Sequence, residues 1–421
     1  MPKLFDRESS PEKLFLVYVN SDAADDESVE DELAGLVEAA GGEVVGSVRQ
    51  RLEKPHRATF IGKGKVEELK AYAADTAAEV VVIDDELSGV QVRNLEEQIE
   101  RRVIDRPQLI LDIFARRAQT REGQLQVELA QLSYMLPRLM SVYTKFERQR
   151  GGIGMRGPGE TQLESDRRRV NKRISKLKEE IEDVKRHRVL QRESRARHPF
   201  PVVAIVGYTS AGKSTLMNRL SDAGVLADAM PFATLDPTTR KIDLQDGFSF
   251  FLVDTVGFIR NLPTELIAAF RATLEEVAHA DLLLHVVDVS NHAWESQCDT
   301  VLDTVAALGG AEVPVVTVFN KIDALEDQTL ARTLVSDWPG SVAISAKLGT
   351  GIPDLLDAVV KASQGSRSMV KALVPYDQNA LVEACYKFGR VIKKDYRDDG
   401  IYLEAELVPE MQAKLAQYAV P

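Results

Sequence analysis

Two glycines five positions apart, followed by a lysine and a serine, are the residues best placed to do chemistry: Gly207-x-x-x-x-Gly212-Lys213-Ser214. The glycines let the backbone fold tightly, so that successive N–H groups converge on phosphate oxygens. A helix beginning at this point adds partial positive charge, Lys213 adds a full one, and the Ser214 hydroxyl can ligate magnesium. The flanking residues suit that task. Val202 to Val206 is an apolar run that reads as a buried parallel strand, and Leu216, Met217 and Leu220 follow at helical spacing. Strand, glycine loop and helix N-terminus come in the order that a phosphate site needs.

Four further elements follow between residues 232 and 347. Asp254-Thr255-Val256-Gly257 ends an apolar run. There the carboxylate can hold magnesium through water, and the Gly257 N–H can meet a terminal phosphate. Thr234, within Phe232-Ala233-Thr234-Leu235-Asp236-Pro237, lies in a polar, turn-rich segment. A threonine there can close over magnesium only when the γ-phosphate is present, which makes the segment a switch. Asn320-Lys321-Ile322-Asp323 follows another buried run, and Asp323 can accept both the N1–H and the 2-amino group of guanine. Ser345-Ala346-Lys347 ends the next run, where a backbone N–H can meet guanine O6. Together the five elements specify GTP, because ATP would leave the Asp323 carboxylate unsatisfied.

The reaction they imply is hydrolysis by in-line attack of water, with Lys213 and magnesium offsetting the charge that develops on the phosphates. Phe258 follows Gly257, at a position where many GTPases carry a glutamine that orients the water. A phenyl ring cannot do so. Turnover by the chain alone is therefore expected to be slow, with help from elsewhere in the chain or from a partner. Arg240 and Arg260 are candidates in cis, read here as solvated charges.

These motifs need a scaffold, and at 421 residues the chain is too long for one core. The expected class is α/β: a P-loop domain with a mostly parallel sheet and helices on both faces, preceded by a small α/β domain and a long antiparallel helical hairpin, and followed by a small α+β module. Residues 1–105 alternate strands (Leu14 to Val19, Glu43 to Arg51, Glu79 to Asp84) with helices (Ser28 to Ala40, Val66 to Ala74, Val90 to Val103). Gly62-Lys63-Gly64 reads as a plain turn. Residues 106–198 form the hairpin, 199–365 the nucleotide domain and 366–421 the final module. No apolar run reaches membrane-spanning length, so no stable membrane insertion is expected. Met1 to Ser10 is charged and unlike a signal peptide. Cys298 and Cys385 fall in different expected domains. The cytoplasm is the natural compartment.

The hairpin is where the charge departs from the average. Its first helix carries apolar residues from Ile110 to Leu136, with Gly123 a weak point and a kink at Pro137. Gly151 to Gly159 follows, too rich in glycine for a regular element. The second helix is expected to open on a Thr161-x-x-Glu164 capping box and to run roughly 50 Å. From Arg138 to Arg197 there are 18 Lys/Arg against 9 Asp/Glu, a local +9 that leaves −21 on the rest of a chain whose net charge is −12. The hairpin reads either as a spacer or dimerisation arm, or as a basic probe that meets RNA phosphates with loop 151–159 at its tip.

At family level the chain resembles HflX, the ribosome-associated GTPases. The resemblance is carried by Phe60-Ile-Gly-Lys-Gly-Lys65, Leu109-Ile-Leu-Asp-Ile-Phe-Ala-Arg-Arg-Ala118, Gly157-Pro-Gly-Glu-Thr-Gln-Leu-Glu164, Phe232-Ala-Thr-Leu-Asp-Pro-Thr238 and Asp254-Thr-Val-Gly-Phe-Ile-Arg260. It implies binding to the large ribosomal subunit and its rRNA through the hairpin, splitting or rescue of stalled ribosomes under stress, and GTPase activity raised by the ribosome, by a monomer. It also implies phosphate contacts from Gly207, Tyr208, Thr209, Ser210, Ala211, Gly212, Lys213, Ser214, Thr215 and Gly257, magnesium on Ser214 and Thr234, and base contacts from Asn320, Lys321 and Asp323 with Ser345, Ala346 and Lys347. Ser210 departs from the asparagine usual at the fourth loop position, which leaves stimulation by potassium open. The competing reading is a GTP-dependent switch that acts on a protein partner without RNA; a role in RNA modification has no catalytic motif behind it.

Overall fold

The computed structural model describes residues 11–19, 26–147, 158–196, 200–221, 232, 238–244, 248–260, 277–327, 329–363, 368–407 and 409–420. Ala233, Thr234 and the tip 151–157 lie outside them.

The first sheet is parallel, ordered β2-β1-β3-β4, from β1 (Lys13–Val19), β2 (Glu43–Gln50), β3 (Val80–Ile83) and β4 (Arg102–Asp105). Its strands are short apolar runs, as expected for a sheet covered on both faces by α1 (Asp26–Ala39), α2 (Lys63–Asp75), α3 (Gly89–Ile99) and α4 (Arg106–Arg117). β4 corrects the helix expected to continue to Val103. Glu100 takes a left-handed conformation (φ 58°) that caps α3, and Val103 and Ile104 then pair with β3. Lys63 and Gly64 also differ from expectation. They form the first turn of α2 rather than a free turn.

The long first helix of the hairpin is interrupted, though not at Gly123. α4 ends at Arg117 and α5 (Arg121–Glu147) restarts after a break of three residues, where the Thr120 hydroxyl accepts the Gly123 N–H at 3.0 Å. That hydroxyl caps the new helix, so Gly123 sits in its first turn. Pro137 stays inside α5. α6 (Pro158–Ala196) begins on its proline, so Thr161 lies within the helix and does not cap it. α5 and α6 pack through Leu125, Leu177 and Ile181 and are clamped by Arg173, whose Nε and Nη2 meet Glu128 at 2.7 and 2.6 Å.

The second sheet has six strands in the order β10-β9-β8-β5-β7-β6: β5 (Val202–Gly207), β6 (Thr239–Asp243), β7 (Ser249–Asp254), β8 (Leu282–Asp288), β9 (Val315–Asn320) and β10 (Val342–Ala343). Only β6, a strand the sequence pattern did not reveal, runs antiparallel. α7 (Lys213–Ser221), α8 (Trp294–Ala307), α9 (Thr329–Asp337) and α10 (Ile352–Ser363) accompany it. A third, antiparallel sheet, β11-β13-β12, combines β11 (Ser368–Val374), β12 (Gly389–Arg397) and β13 (Gly400–Leu407) with α11 (Asn379–Phe388) and α12 (Pro409–Leu415). β12 is another element missing from the sequence reading.

The first two sheets are not independent beads. One apolar core contains Leu36, Ile110 and Phe114 from the first and Val206, Tyr208, Phe232, Phe258 and Ile259 from the second. Phe114 and Phe232 meet edge to face with ring centroids 4.6 Å apart.

Candidate nucleotide-binding site

In an open parallel sheet, ligands gather outside the carboxyl ends of the strands, where the strand order reverses. In the second sheet that point lies between β5 and β8, and the glycine loop leaves β5 there. Gly207 passes so close to β8 that a Cβ would sit 2.3 Å from the Val286 carbonyl oxygen. Gly212 has φ +96°, and a Cβ on it would lie 2.3 Å from Asn320 Nδ2. Both positions require glycine for space, and Gly212 also for its backbone.

Lys213 is buried and folds back over the loop, donating to the carbonyls of Gly207 at 3.0 Å and Tyr208 at 2.6 Å. Burial pulls its ammonium down to about 8, partly countered by Asp254. A cation held this way has much to gain from a phosphate. Ser214 Oγ donates to Asp254 Oδ2 at 3.1 Å. A hydroxyl and a carboxylate side by side at the head of α7 are hard oxygen donors that suit magnesium. Thr255 instead faces the protein, its hydroxyl donating to the Ile205 carbonyl at 2.6 Å, and Val256 joins the shared core. Thr215 follows in the first turn of α7. A Cβ on Gly257 would lie 3.0 Å from both Lys213 Nζ and Thr209 Cγ2, so this glycine lines the same small space.

At the other end, Asn320 ties three motifs together. Its Nδ2 donates to the Ala211 carbonyl at 2.8 Å, and its Oδ1 accepts the Ala346 N–H at 3.0 Å. Both ends of this amide are therefore engaged within the protein, and so is the Ala346 N–H, one of the backbone groups of Ser345-Ala346-Lys347 that could meet guanine O6. Lys321 adopts φ 63° and its ammonium pairs with Asp288 at 2.6 Å, which turns the following short helix outward and leaves Asp323 exposed. The Ser345 hydroxyl accepts the Leu348 N–H at 3.0 Å, and Arg219 braces the carbonyls of Ala346 and Lys347. Ser210 is also left-handed, at φ 62°.

Phe258 is buried in the shared core, and both of its backbone groups are stitched to the loop. Thr209 N–H donates to its carbonyl at 2.7 Å, and its own N–H donates to the Gly207 carbonyl at 3.1 Å. The hydrophobic residue at this position is thus explained by packing against the first sheet. Arg260 corrects the expectation of a solvated charge. Its Nε lies 3.1 Å from Glu32 Oε1 and its Nη2 2.8 Å from Asp84 Oδ2. Nothing in the local sequence pointed to those partners, which lie 228 and 176 residues away. Arg240 is exposed, as expected.

Residues 202–321 match a family model described as 50S ribosome-binding GTPase, residues 27–115 one described as GTP-binding GTPase N-terminal, and residues 117–195 one described as GTP-binding GTPase Middle Region. The chain is 45% identical to the GTPase HflX of Lacrimispora saccharolytica over 100% of its own length and 99% of that protein. It belongs to the HflX family. It is also 43% identical to the GTPase HflX of Escherichia coli (strain K12), over 94% of this chain and 93% of that one. Among solved structures it is similar to that of SsGBP in complex with GDP, at 25% sequence identity and a TM-score of 0.49, covering 84% of this chain and 99% of that one. As a family member with this loop, the chain hydrolyses GTP.

Proposed function

We propose that this GTPase works on the large ribosomal subunit in the cytoplasm, and that it splits or rescues stalled ribosomes as a monomer. The observation that carries the reading is a basic hairpin in the same chain as a GTPase sheet. Arg168 and Arg169 on α6 leave about four-fifths of their side chains in solvent, and among the described residues their acidic neighbours are Glu164 at 3.7 Å and Asp166 at 3.8 Å. The description of the model matched by residues 202–321, a 50S ribosome-binding GTPase, supports the same partner. Phosphate-rich RNA is what such a surface attracts, and the attraction should weaken steeply with salt.

In the reaction, Lys213 and the loop N–H groups take the phosphates, Gly257 N–H meets the γ-phosphate, and Asp323 reads the guanine edge. With the Ala346 N–H taken by Asn320, the Lys347 N–H is the group assigned to guanine O6. Ser214, Asp254 and Thr234 would hold magnesium, which offsets the charge developing on the phosphates when bound. Phe258 lends nothing to the attacking water, so turnover rises only when a partner supplies or orders the missing group. Sedimentation with ribosomes in the presence of a non-hydrolysable GTP analogue tests the reading. Co-sedimentation that is lost on neutralising Arg167, Arg168 and Arg169 is expected. No pelleting at moderate salt, or pelleting indifferent to those charges, overturns it.

A further inference from the structure

The joint between the two parallel sheets is more polar than packing alone requires, and hydrolysis as described makes no use of it. Three side chains from distant parts of the chain, Arg106, Tyr208 and Arg260, converge on two carboxylates. Asp84 Oδ1 accepts from Arg106 Nη1 at 2.6 Å, while its Oδ2 accepts from Arg260 Nη2 at 2.8 Å. Glu32 Oε1 is shared by Arg106 and Arg260, and its Oε2 accepts from the hydroxyl of Tyr208. That hydroxyl in turn accepts the backbone N–H of Arg260 at 2.9 Å. Arg106 is 1% exposed, and Asp84 and Glu32 are nearly as well covered. Burial pushes the Asp84 carboxyl up, and the two guanidiniums pull against it.

Both ends of this cluster lead somewhere. On one side, Tyr208 is the second residue of the phosphate loop, and Arg260 lies two residues beyond Phe258, whose backbone is clasped to Gly207 and Thr209. A phosphate that takes the Thr209 N–H must break that clasp. On the other side, Arg106 opens α4 and is preceded by the fully buried Asp105. Asp105 accepts from the Tyr134 hydroxyl and from Arg138 Nη2 at 3.1 Å, both on α5 at the base of the hairpin. Adjacent residues thus face the nucleotide switch and the hairpin. Every carboxylate oxygen in the joint already has a donor, so Arg260 cannot leave without exposing Asp84 Oδ2 as a buried, unmatched acceptor. Buried networks of this kind rearrange between discrete states rather than stretching.

We propose that Arg260 and Arg106, by sharing Glu32 and Asp84, are positioning residues that convert the nucleotide state of the phosphate loop into an angle of the helical hairpin. The inference rests on the proposed role of the hairpin only for its purpose; the mechanics belong to the free protein. The full chain carries one dye at an exposed position of α6, through Lys176→Cys, and one on α8, through Asp303→Cys, with the buried Cys298 and Cys385 replaced by alanine. Energy transfer is compared in GDP and in a non-hydrolysable GTP analogue, without ribosomes. The unaltered joint is expected to show a shift between the two nucleotides. Glu32→Gln, which keeps the shape but removes the charge and one of the two acceptor oxygens, is expected to lose more than half of it while both nucleotides still bind, and Arg260→Lys to keep part. Should a joint variant fail to fold, the other carries the test. No shift in the parent chain, or a shift of the same size in the variants, overturns the proposal. Ribosome pelleting is scored separately. Pelleting that fails while the dyes still shift removes the ribosome reading and leaves the relay, and a relay that fails leaves pelleting untouched.

Discussion

Two sheets in one chain, one parallel and one mostly so, place their functional edges alike and fill them differently. In the six-stranded sheet, the reversal of strand order between β5 and β8 holds the glycine loop, Lys213 and Ser214. In the four-stranded sheet the order reverses between β1 and β3, and the residue just beyond β3 is Asp84. The sequence after β1 carries no glycine before α1. That crevice is occupied by Arg260 of the other sheet, held by Asp84, Glu32 and Arg106. One edge is built to receive a ligand, and the other receives the protein itself. The difference lies in the backbone. A phosphate needs converging N–H groups, and hence Gly207 and Gly212. A guanidinium needs only fixed carboxylates, which ordinary helix and strand ends supply.

The comparison breaks most sharply at Arg106. Replacing it by methionine leaves two largely buried carboxylates with Arg260 alone, and the expected loss is about 3–5 kcal/mol of stability. The melting temperature should fall by many degrees, while nucleotide choice in the fraction that stays folded remains guanine-specific. A variant that melts like the parent would mean that the first sheet's edge is not a structural receptor. Asn320→Ala comes next and attacks the other edge. It orphans the Ala211 carbonyl and the Ala346 N–H, at about 1–3 kcal/mol for each buried group. Here stability and GTP affinity should fall together, because one amide holds the phosphate loop against the base-reading loop. Affinity lost at unchanged stability would instead assign Asn320 directly to the base.

Asp323→Asn separates recognition from folding. Asp323 is exposed and supports no core, so the melting curve should stay within about 0.5 kcal/mol of the parent. GTP affinity should fall roughly 10–100-fold, the worth of a charge-assisted hydrogen-bond pair, with preference moving toward xanthosine nucleotides. Competition binding against both nucleotides reads this directly. An unaltered preference would remove Asp323 from base reading.

How much of this was legible beforehand follows the same division. The phosphate edge could be read because its requirements are local: glycine spacing, a lysine, and apolar strands immediately before the motifs. The order of the five motifs then fixed the base. The protein-filled edge was invisible, because Glu32, Asp84, Arg106 and Arg260 carry no mutual spacing and are ordinary surface residue types. A charged residue buried by tertiary contact looks the same in sequence as a solvated one. β4, β6 and β12 were missed for a related reason. Each is short or mixed in polarity, and each is secured by a neighbour rather than by its own apolar run. The interruption at residues 118–120 was misplaced because an apolar stripe continues across it, while the cap that divides the helices is a single hydroxyl.

The smallest expected effect concerns the opposite end of the first sheet. There Asp112 on α4 lies near Glu12, with Arg102 and Arg116 as the nearest cations. Burial pushes its carboxyl up to about 7, the two arginines pull it back, and Oδ2 has no hydrogen-bond partner. A folded-state value above the unfolded one near 3.9 means that the native chain holds the extra proton between those limits. The stability it confers is complete below about 4 and is lost as pH rises toward 7, so above 7 the native state bears the full cost of the buried anion. Asp112→Asn removes the charge but still buries a polar amide, so only part of that cost is recovered. It should raise stability at pH 8 by about 1 kcal/mol, with the gain shrinking steadily as the pH is lowered to 5. Denaturant midpoints at pH 5, 6, 7 and 8 measure it. A gain for Asp112→Asn that is independent of pH would show that the buried charge is not its source.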